Sequence, residues 1–263
     1  MNYAKVCKIF RSLAITSGDV IMDVYNSNTF EVLLKSDYSP VTIADKKADE
    51  LISRGLKKYF PEIPVVTEEQ VKSHDLNASV FFIVDPLDGT KEFIKRRGDF
   101  TVNIALVVNG VPIRGIVYAP ARQRLFYTDE NGEAVEEIPY FSVSKIGLIK
   151  KIKTAFSDNK ALKVVASKSH RNEETDKFIS KYNCKELVSA GSSLKFCLIA
   201  AGEADLYPRF GPTMEWDTAA GHAILSAAGG SVLQVEDKQP LNYGKPNYKN
   251  PFFIASSKNV ILK

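Results

Sequence analysis

The sequence predicts a layered α/β protein of the α+β kind, with a largely antiparallel first half. Three observations carry this reading. Two amphipathic stripes at helical spacing lie near the N-terminus, a series of short apolar runs is separated by turn residues, and helical and strand-like segments mix along the rest of the chain. Val6, Ile9, Phe10, Leu13, Ala14, Val20, Ile21 and Val24 share one helical face, which predicts a helix from about 3 to 25. A second helix is predicted from about 43 to 59, with Ala44, Ala48, Leu51, Ile52, Leu56 and Tyr59 inward and Pro61 as its stop.

Val80-Phe81-Phe82-Ile83-Val84 is a short apolar run of the kind that forms a buried strand. Thr101 to Val108 and Val111 to Tyr118 read as strands joined by Asn109-Gly110, a pair that accepts the positive φ angles of a tight hairpin. Arg124 to Thr128 and the Asn131-Gly132 turn extend this meander. The composition shifts between 136 and 160, which predicts a crossing from an N-terminal half (1–137) to a C-terminal half (150–263). There, Leu162 to Ala166, Ala204 to Tyr207, Ser231 to Val235 and Phe252 to Ala255 read as strands. Glu173 to Tyr182, Ser192 to Ala201 and Thr218 to Ala228 read as helices, the last closed by Gly229-Gly230.

Charge and composition narrow the function. The 35 basic and 31 acidic residues leave a net charge of +4, too small an excess to argue for a nucleic-acid polymer as partner. Lys95-Arg96-Arg97, the longest basic cluster, reads as a solvated loop. Cys7, Cys184 and Cys197 are odd in number and lack CxxC spacing, which fits reduced, mostly buried thiols in a cytoplasmic protein. No apolar run approaches the ~20 residues of a membrane span. Peripheral contact at the cytoplasmic face of the inner membrane stays open, and the sequence does not fix the oligomeric state. No GxGxxG or GxxxxGK[ST] pattern supports dinucleotide oxidoreduction or P-loop hydrolysis.

The most informative segment is Asp85-Pro86-Leu87-Asp88-Gly89-Thr90, directly after the first apolar strand. Pro86 fixes φ and Gly89 permits a sharp turn, so two carboxylates and a freed carbonyl can aim at one point. Alone, such a segment reads as a solvated turn. Glu68-Glu69 after Val65-Val66 presents further acids at a second strand end, and Asp217 follows Trp216 at the head of a helix, where an acid is also an ordinary cap. If these acids converge they need a counter-charge, and an all-oxygen set suits magnesium or manganese. Two such ions activate a water and stabilise the leaving oxygen of a phosphoryl group.

Glu68-Glu69, Asp85 to Thr90 and Trp216-Asp217-Thr218-Ala219-Ala220-Gly221 resemble the three signatures of the inositol monophosphatase superfamily, a group of magnesium-dependent, lithium-sensitive phosphatases. Lys91 to Arg96, Gly191 to Cys197 and Tyr207 to Thr213 look like its 3′(2′),5′-bisphosphate nucleotidase branch. The resemblance implies a layered αβαβα sandwich of the inositol monophosphatase and sugar phosphatase type. It also implies two or three magnesium ions, replaceable by manganese, held by Glu68, Asp85, the Leu87 carbonyl, Asp88 and Asp217. Thr90 and Asp45 would orient or deprotonate the attacking water, assisted by Glu68, and Glu69 would add a contact near the metals. Thr42-x-x-Asp45 is also a near capping box, so Asp45 has a structural alternative. The substrate would meet Glu68, Leu87, Asp88, Gly89, Thr90 and Asp217, with His170, Ser192, Lys195 and Arg209 on its far side. Ser192 has the competing reading of a plain helix cap.

Arg209 stands where the resemblance to inositol phosphatases would place an acid for sugar hydroxyls, and a cation there favours a second phosphate. The implied reaction is hydrolysis of the 3′-phosphate of adenosine 3′,5′-bisphosphate, or of its sulfated relative PAPS, by a metal-activated water. An inositol or other sugar monophosphatase of the same fold is the alternative. Aspartyl-phosphate chemistry would need Asp-x-Asp spacing, whereas Asp85-x-x-Asp88 is one residue longer. A non-catalytic nucleotide sensor would not need the full acid set.

Overall fold

The computed structural model describes residues 1–27, 31–34, 40–167 and 171–263. Helix α1 spans Tyr3–Asn26, and the Asn2 side chain caps it by accepting from the Lys5 amide at 2.9 Å. Strands β1 (Val32–Leu34) and β2 (Pro40–Thr42) form a small antiparallel ribbon that leads into α2 (Ile43–Tyr59). Then come β3 (Val65–Thr67), β4 (Val80–Asp88), α3 (Thr90–Ile94), β5 (Thr101–Val108), β6 (Val111–Ala119), β7 (Arg124–Thr128), β8 (Ala134–Glu137) and β9 (Ile149–Lys151). The seven strands from β3 to β9 make one sheet in sequence order, with β3 parallel to β4 and every later pair antiparallel. Asn109 and Gly110 both take positive φ, as the hairpin between β5 and β6 requires.

The second half supplies β10 (Leu162–Ser167), α4 (Glu173–Ile179), β11 (Cys184–Ala190), α5 (Leu194–Ala200), β12 (Leu206–Arg209), α6 (Ala219–Ala227), β13 (Ser231–Gln234) and β14 (Phe253–Ser256). Its five strands form a mixed sheet in the order β11-β10-β12-β14-β13.

Strand alternation decides the layering. Phe82, Val84, Ile104 and Leu106 face one way and pack with Phe10 of α1 and Ile52 and Leu56 of α2. Their neighbours Phe81, Ile83, Ala105 and Val107 face the other way, into a core shared with α5, α6 and the inner residues Val165, Tyr207 and Phe253 of the second sheet. Val164, Leu206 and Ile254, on that sheet's outer face, close on Phe178 and Ile179 of α4. The order is therefore helix, sheet, helix, sheet, helix. Phe82 is fully buried, so its truncation to Ala would cost about 3–5 kcal/mol. The middle helices sit close against the first sheet: a Cβ at Gly115 of β6 would lie 2.5 Å from the Ala220 carbonyl oxygen of α6.

Several local expectations shift. Leu51 is half-buried and Tyr59 exposed, so the inward face of α2 is narrower than its apolar residues suggest. Helix α4 ends at Ile179, yet Tyr182 remains buried and stacks on Phe178 at 5.2 Å from the following turn, which extends the apolar rhythm past the helix. The strand expected at 204–207 runs Leu206–Arg209, because Asp205 is engaged just before it, accepting from Ser157 Oγ at 2.5 Å and the Lys163 amide at 2.7 Å. Strand β11 lacks an apolar signature: it is a sheet edge whose first four residues are exposed. Of the three cysteines, Cys197 is buried, Cys7 half-buried and Cys184 exposed, so the thiols are less uniformly buried than expected. The exposed strand β9 lies in the crossing, which is anchored on α1. There the buried Arg11 guanidinium donates to both Glu137 oxygens at 2.6 and 2.7 Å, and to the Lys145 carbonyl at 3.1 Å. No helix among the described residues is long and apolar enough to cross a membrane.

Candidate active site

In a regular strand, residues 85 and 88 would point to opposite faces. They do not here, because β4 bulges: Asp85 pairs with Asn103 and Asp88 with Thr101, leaving Pro86 and Leu87 opposite the single residue Val102. Leu87 buries its side chain in the α1/α2 core while its amide donates to Asp85 Oδ1 at 3.1 Å. Gly89 then takes a φ of 93°, and a Cβ there would lie 2.4 Å from Ser192 Oγ, so the turn needs glycine on both counts. The parallel neighbour β3 ends alongside: the Glu68 amide donates to the Val84 carbonyl at 3.2 Å, which puts Glu68 beside the start of the bulge.

Asp217 reaches the same place from the second half. It closes a short 3₁₀ turn, Glu215–Asp217, before α6, and its Oδ2 accepts from the Met214 amide at 2.8 Å. One carboxylate oxygen each from Asp85, Asp88 and Asp217 lies within 4.8 Å of the others. Glu68 adds its negative charge to the field felt by Asp88 and Asp217. Burial pushes the Asp88 carboxyl above the ordinary carboxylate range, opposed by the Lys195 ammonium and by hydrogen bonds from Asn103 and Ser193. Burial also raises Asp217, and repulsion from Asp88 and Glu68 raises it further. A compact set of hard oxygens that repel one another fits a hard divalent cation.

Asp45 caps its helix and also contacts Thr90 of the cleft lining. Its Oδ2 accepts from the Thr42 amide at 2.8 Å and the Thr42 hydroxyl at 2.6 Å, completing the capping box of α2. Its Oδ1 accepts from Thr90 Oγ1 at 3.0 Å, and the Leu87 carbonyl lies 3.3 Å from the same hydroxyl. Burial raises the Asp45 carboxyl, partly offset by the hydrogen bonds from Thr42 and Thr90. One turn along α2, the buried Asp49 accepts from the Thr67 hydroxyl and, at 2.8 Å, from Gln70 Nε2. The same helix face thus braces both strand ends that carry the acids.

A cleft of about 830 Å³ opens over this cluster, lined by Glu68, Asp88, Thr90, Lys195, Arg209 and Asp217 among others. Lys195 and Arg209 are 4% and 8% exposed. The Lys195 ammonium donates to the Ser192 carbonyl at 2.7 Å and lies 5.1 Å from the centre of the Tyr207 ring. Burial pulls it down to about 8; Arg209 adds to the fall, while Asp88, Glu92 and Asp217 oppose it. Arg209 Nη2 donates to the Pro212 carbonyl at 2.8 Å, and its buried Nε has no hydrogen-bond partner among the described residues.

Ser192 is not a plain helix cap. It has a φ of 51°, and α5 begins only at Leu194. Its hydroxyl lies 2.7 and 2.8 Å from the Asp88 and Asp99 carbonyls. His170 lies outside the described residues; Ser167, at the end of the strand leading to it, lines the cleft. Sequence reasoning missed Asn103 and Ser193, both buried behind the acids. The signals available were an amide between the apolar Val102 and Ile104 of β5, and the place of Ser193 inside the Gly191–Cys197 segment, which drew attention only to its neighbours Ser192 and Lys195.

The inositol monophosphatase family model matches residues 2–261. The chain belongs to the inositol monophosphatase family. Within that family it is similar to the 3′(2′),5′-bisphosphate nucleotidase CysQ of Escherichia coli K12, with 43% identity over 256 residues, 96% of this chain and 98% of the relative. The CysQ nucleotidase of Haemophilus influenzae is 30% identical over 92% of this chain and 89% of its own length. Among solved structures, CysQ from Bacteroides thetaiotaomicron, a member of the same family, superposes with a TM-score of 0.85 at 39% identity, covering 98% of both chains. The Thermotoga maritima inositol monophosphatase shares the fold at a TM-score of 0.74 and 25% identity, covering 94% of this chain and 89% of its own. The layered helix and sheet order is that of the family, whose phosphatases are metal-dependent.

Proposed function

We propose that this chain is a magnesium-dependent 3′(2′),5′-bisphosphate nucleotidase, which releases the 3′-phosphate of adenosine 3′,5′-bisphosphate or of PAPS. The observation that carries this reading is the pair of buried cations, Lys195 and Arg209, in the cleft that holds the carboxylate cluster. A monophosphate ester needs one cationic centre, which a metal in the carboxylates would provide. A second cationic centre, the pair Lys195 and Arg209, the latter with a buried N–H that has no partner among the described residues, suits a second phosphate.

Glu68, Asp85, the Leu87 carbonyl, Asp88 and Asp217 would hold two or three magnesium ions, with manganese able to substitute. When bound, magnesium neutralises charge on the phosphoryl group and acidifies the attacking water. The Thr90 hydroxyl gives its hydrogen to Asp45, so its lone pairs can accept a hydrogen from that water. As the water oxygen attacks phosphorus, one proton passes to Thr90 and the Thr90 proton to Asp45, whose raised carboxyl makes it a better acceptor. The bond from phosphorus to the ribose 3′-oxygen breaks, and that oxygen takes up a proton from solvent. Gly89 and Thr90 would border the scissile phosphate, with Ser192, Lys195, Arg209 and His170 around the far phosphate and ribose. The substrate is a small molecule, and this chemistry fits a cytoplasmic enzyme.

A phosphate-release assay tests the reading. Adenosine 3′,5′-bisphosphate, adenosine 3′-monophosphate and inositol 1-phosphate are compared with magnesium, with manganese and with EDTA. The bisphosphate should turn over fastest by an order of magnitude or more, and EDTA should abolish activity. Faster release from inositol 1-phosphate would overturn the substrate assignment in favour of a sugar monophosphatase.

A further inference from the structure

Asp88 ends β4 and Asp217 closes the turn before α6, yet a buried set of hydrogen bonds joins them. Asn103 sits on β5 opposite Asp85 and is 1% exposed. Its Oδ1 accepts from Thr101 Oγ1 at 2.9 Å, which fixes the orientation of the amide. Its Nδ2 then donates to Asp88 Oδ2 at 3.3 Å and to Ser193 Oγ at 3.0 Å, one hydrogen to each. Ser193, just before α5, is also 1% exposed. Its amide donates to the same Asp88 Oδ2 at 2.7 Å, and its hydroxyl donates to the Asp217 carbonyl at 2.6 Å. The hydroxyl has one proton, given to Asp217, and it accepts from Asn103, so the direction of every bond is defined.

Neither Asn103 nor Ser193 lines the cleft, and neither is placed to touch substrate. Ser193 holds one acid from each half, and Asn103 supports Asp88 and the Ser193 hydroxyl. We propose that Ser193, with Asn103 as its partner, is a positioning residue that sets the spacing of Asp88 and Asp217 and thereby the affinity of the carboxylate cluster for a divalent cation. The inference rests on the metal-dependent reading of that cluster. Partners that orient metal-ligating groups in this way typically change affinity 10–100-fold when removed. Without the Ser193 hydroxyl, the Asp217 carbonyl loses its donor and the Asn103 amide loses an acceptor. The two acids then drift apart under their mutual repulsion.

The chain has one tryptophan, Trp216, adjacent to Asp217 and stacked on His74 at 4.8 Å between ring centres. Its fluorescence reports magnesium at the site without turnover, and calorimetric titration of magnesium alone supplies a second readout. Ser193→Ala removes the hydroxyl that holds the Asp217 carbonyl but keeps the amide bond to Asp88, whereas Asn103→Ala removes the supporting donor to Asp88 and to the Ser193 hydroxyl and leaves Ser193's own two bonds in place. Ser193→Ala should raise the magnesium midpoint at least tenfold, Asn103→Ala should raise it less, and the double variant should be little worse than Ser193→Ala, because Asn103 acts through the Ser193 hydroxyl. The melting temperatures of the three variants in EDTA should stay close to wild type.

A magnesium midpoint within twofold of wild type for Ser193→Ala overturns the proposal, as does a fall in the EDTA melting temperature with the midpoint unchanged. If Ser193→Ala does not fold, Ser193→Gly, which also lacks the hydroxyl and keeps the amide, decides by the same criterion. A wild-type protein that binds no magnesium by calorimetry removes the metal reading and this inference together, whereas binding that is equal in wild type and variants removes only the inference.

Discussion

Replacing Asp88 by Asn should move stability in opposite directions with and without metal. Carboxylate oxygens of Asp88, Asp85 and Asp217 lie within 4.8 Å of one another. At an effective dielectric of about 20, two unit charges at that separation repel by roughly 3–4 kcal/mol. Proton uptake caps this cost in the metal-free protein, and the raised Asp88 carboxyl indicates that burial and repulsion outweigh the pull of Lys195. Asn keeps an oxygen to accept from the Ser193 amide and removes one charge. In EDTA near neutral pH the variant should gain about 1–2 kcal/mol, or roughly 2–8 °C in melting temperature for a chain of this size. With magnesium at a hundred times its dissociation constant, wild type gains about 2.7 kcal/mol for one site, and the variant should lose most of that gain.

The pH dependence has a definite sign. Because the folded carboxyls titrate above their unfolded value of 3.8, the metal-free fold binds more protons than the unfolded chain between the two values. The contribution of these two carboxyls to metal-free stability is therefore fully present in acid and is lost as pH rises through the raised values, while the lowered His222 works the other way; saturating magnesium, which competes with the carboxyl protons, should flatten or reverse the carboxyl part of the slope. The assay is a set of thermal melts from pH 4 to pH 9, with EDTA and with magnesium. An Asp88→Asn protein that melts below wild type in EDTA and keeps the full magnesium gain would refute the argument.

Thr90→Val should lower kcat by about 10²-fold or more with little change in the magnesium midpoint, measured by steady-state kinetics beside the fluorescence titration. Arg209→Ala should cut kcat/KM for adenosine 3′,5′-bisphosphate by about tenfold or more relative to adenosine 3′-monophosphate, and equal losses would remove Arg209 as the specificity residue. Glu137→Ala leaves a buried guanidinium without its partner and should cost about 3–5 kcal/mol in denaturant unfolding; Arg11→Met with Glu137→Leu should recover much of that.

The site was legible in the sequence to the extent that its chemistry is local. Asp85 to Thr90 places two acids and a carbonyl on one stiff turn, and Asp217 heads its helix, so these could be read from spacing and from a resemblance that runs through both halves. The hydrogen bond from Thr90 to Asp45 could not be read so directly, because the capping box uses the same aspartate; the structure shows one oxygen in the box and the other accepting from Thr90. The bonds of Asn103 and Ser193 were illegible because they join segments far apart in the chain, β5 to the turn before α5 and that turn to the one before α6, where neither spacing nor periodicity registers. In the fold, α1, α2 and the β5–β6 hairpin follow from amphipathic rhythm and turn chemistry. Strands β9 and β11 carry no apolar alternation, since an edge strand can be exposed and still complete its ladder on one side.

The acids gathered at the bulge of β4 and the one ahead of α6 belong to different halves of the polypeptide. A nascent chain that has completed only the first sheet therefore owns most of the oxygen donors but lacks the floor on which they meet. If the cluster takes up magnesium as proposed, a magnesium-dependent signal during refolding should report the docking of the two sheets rather than the formation of either.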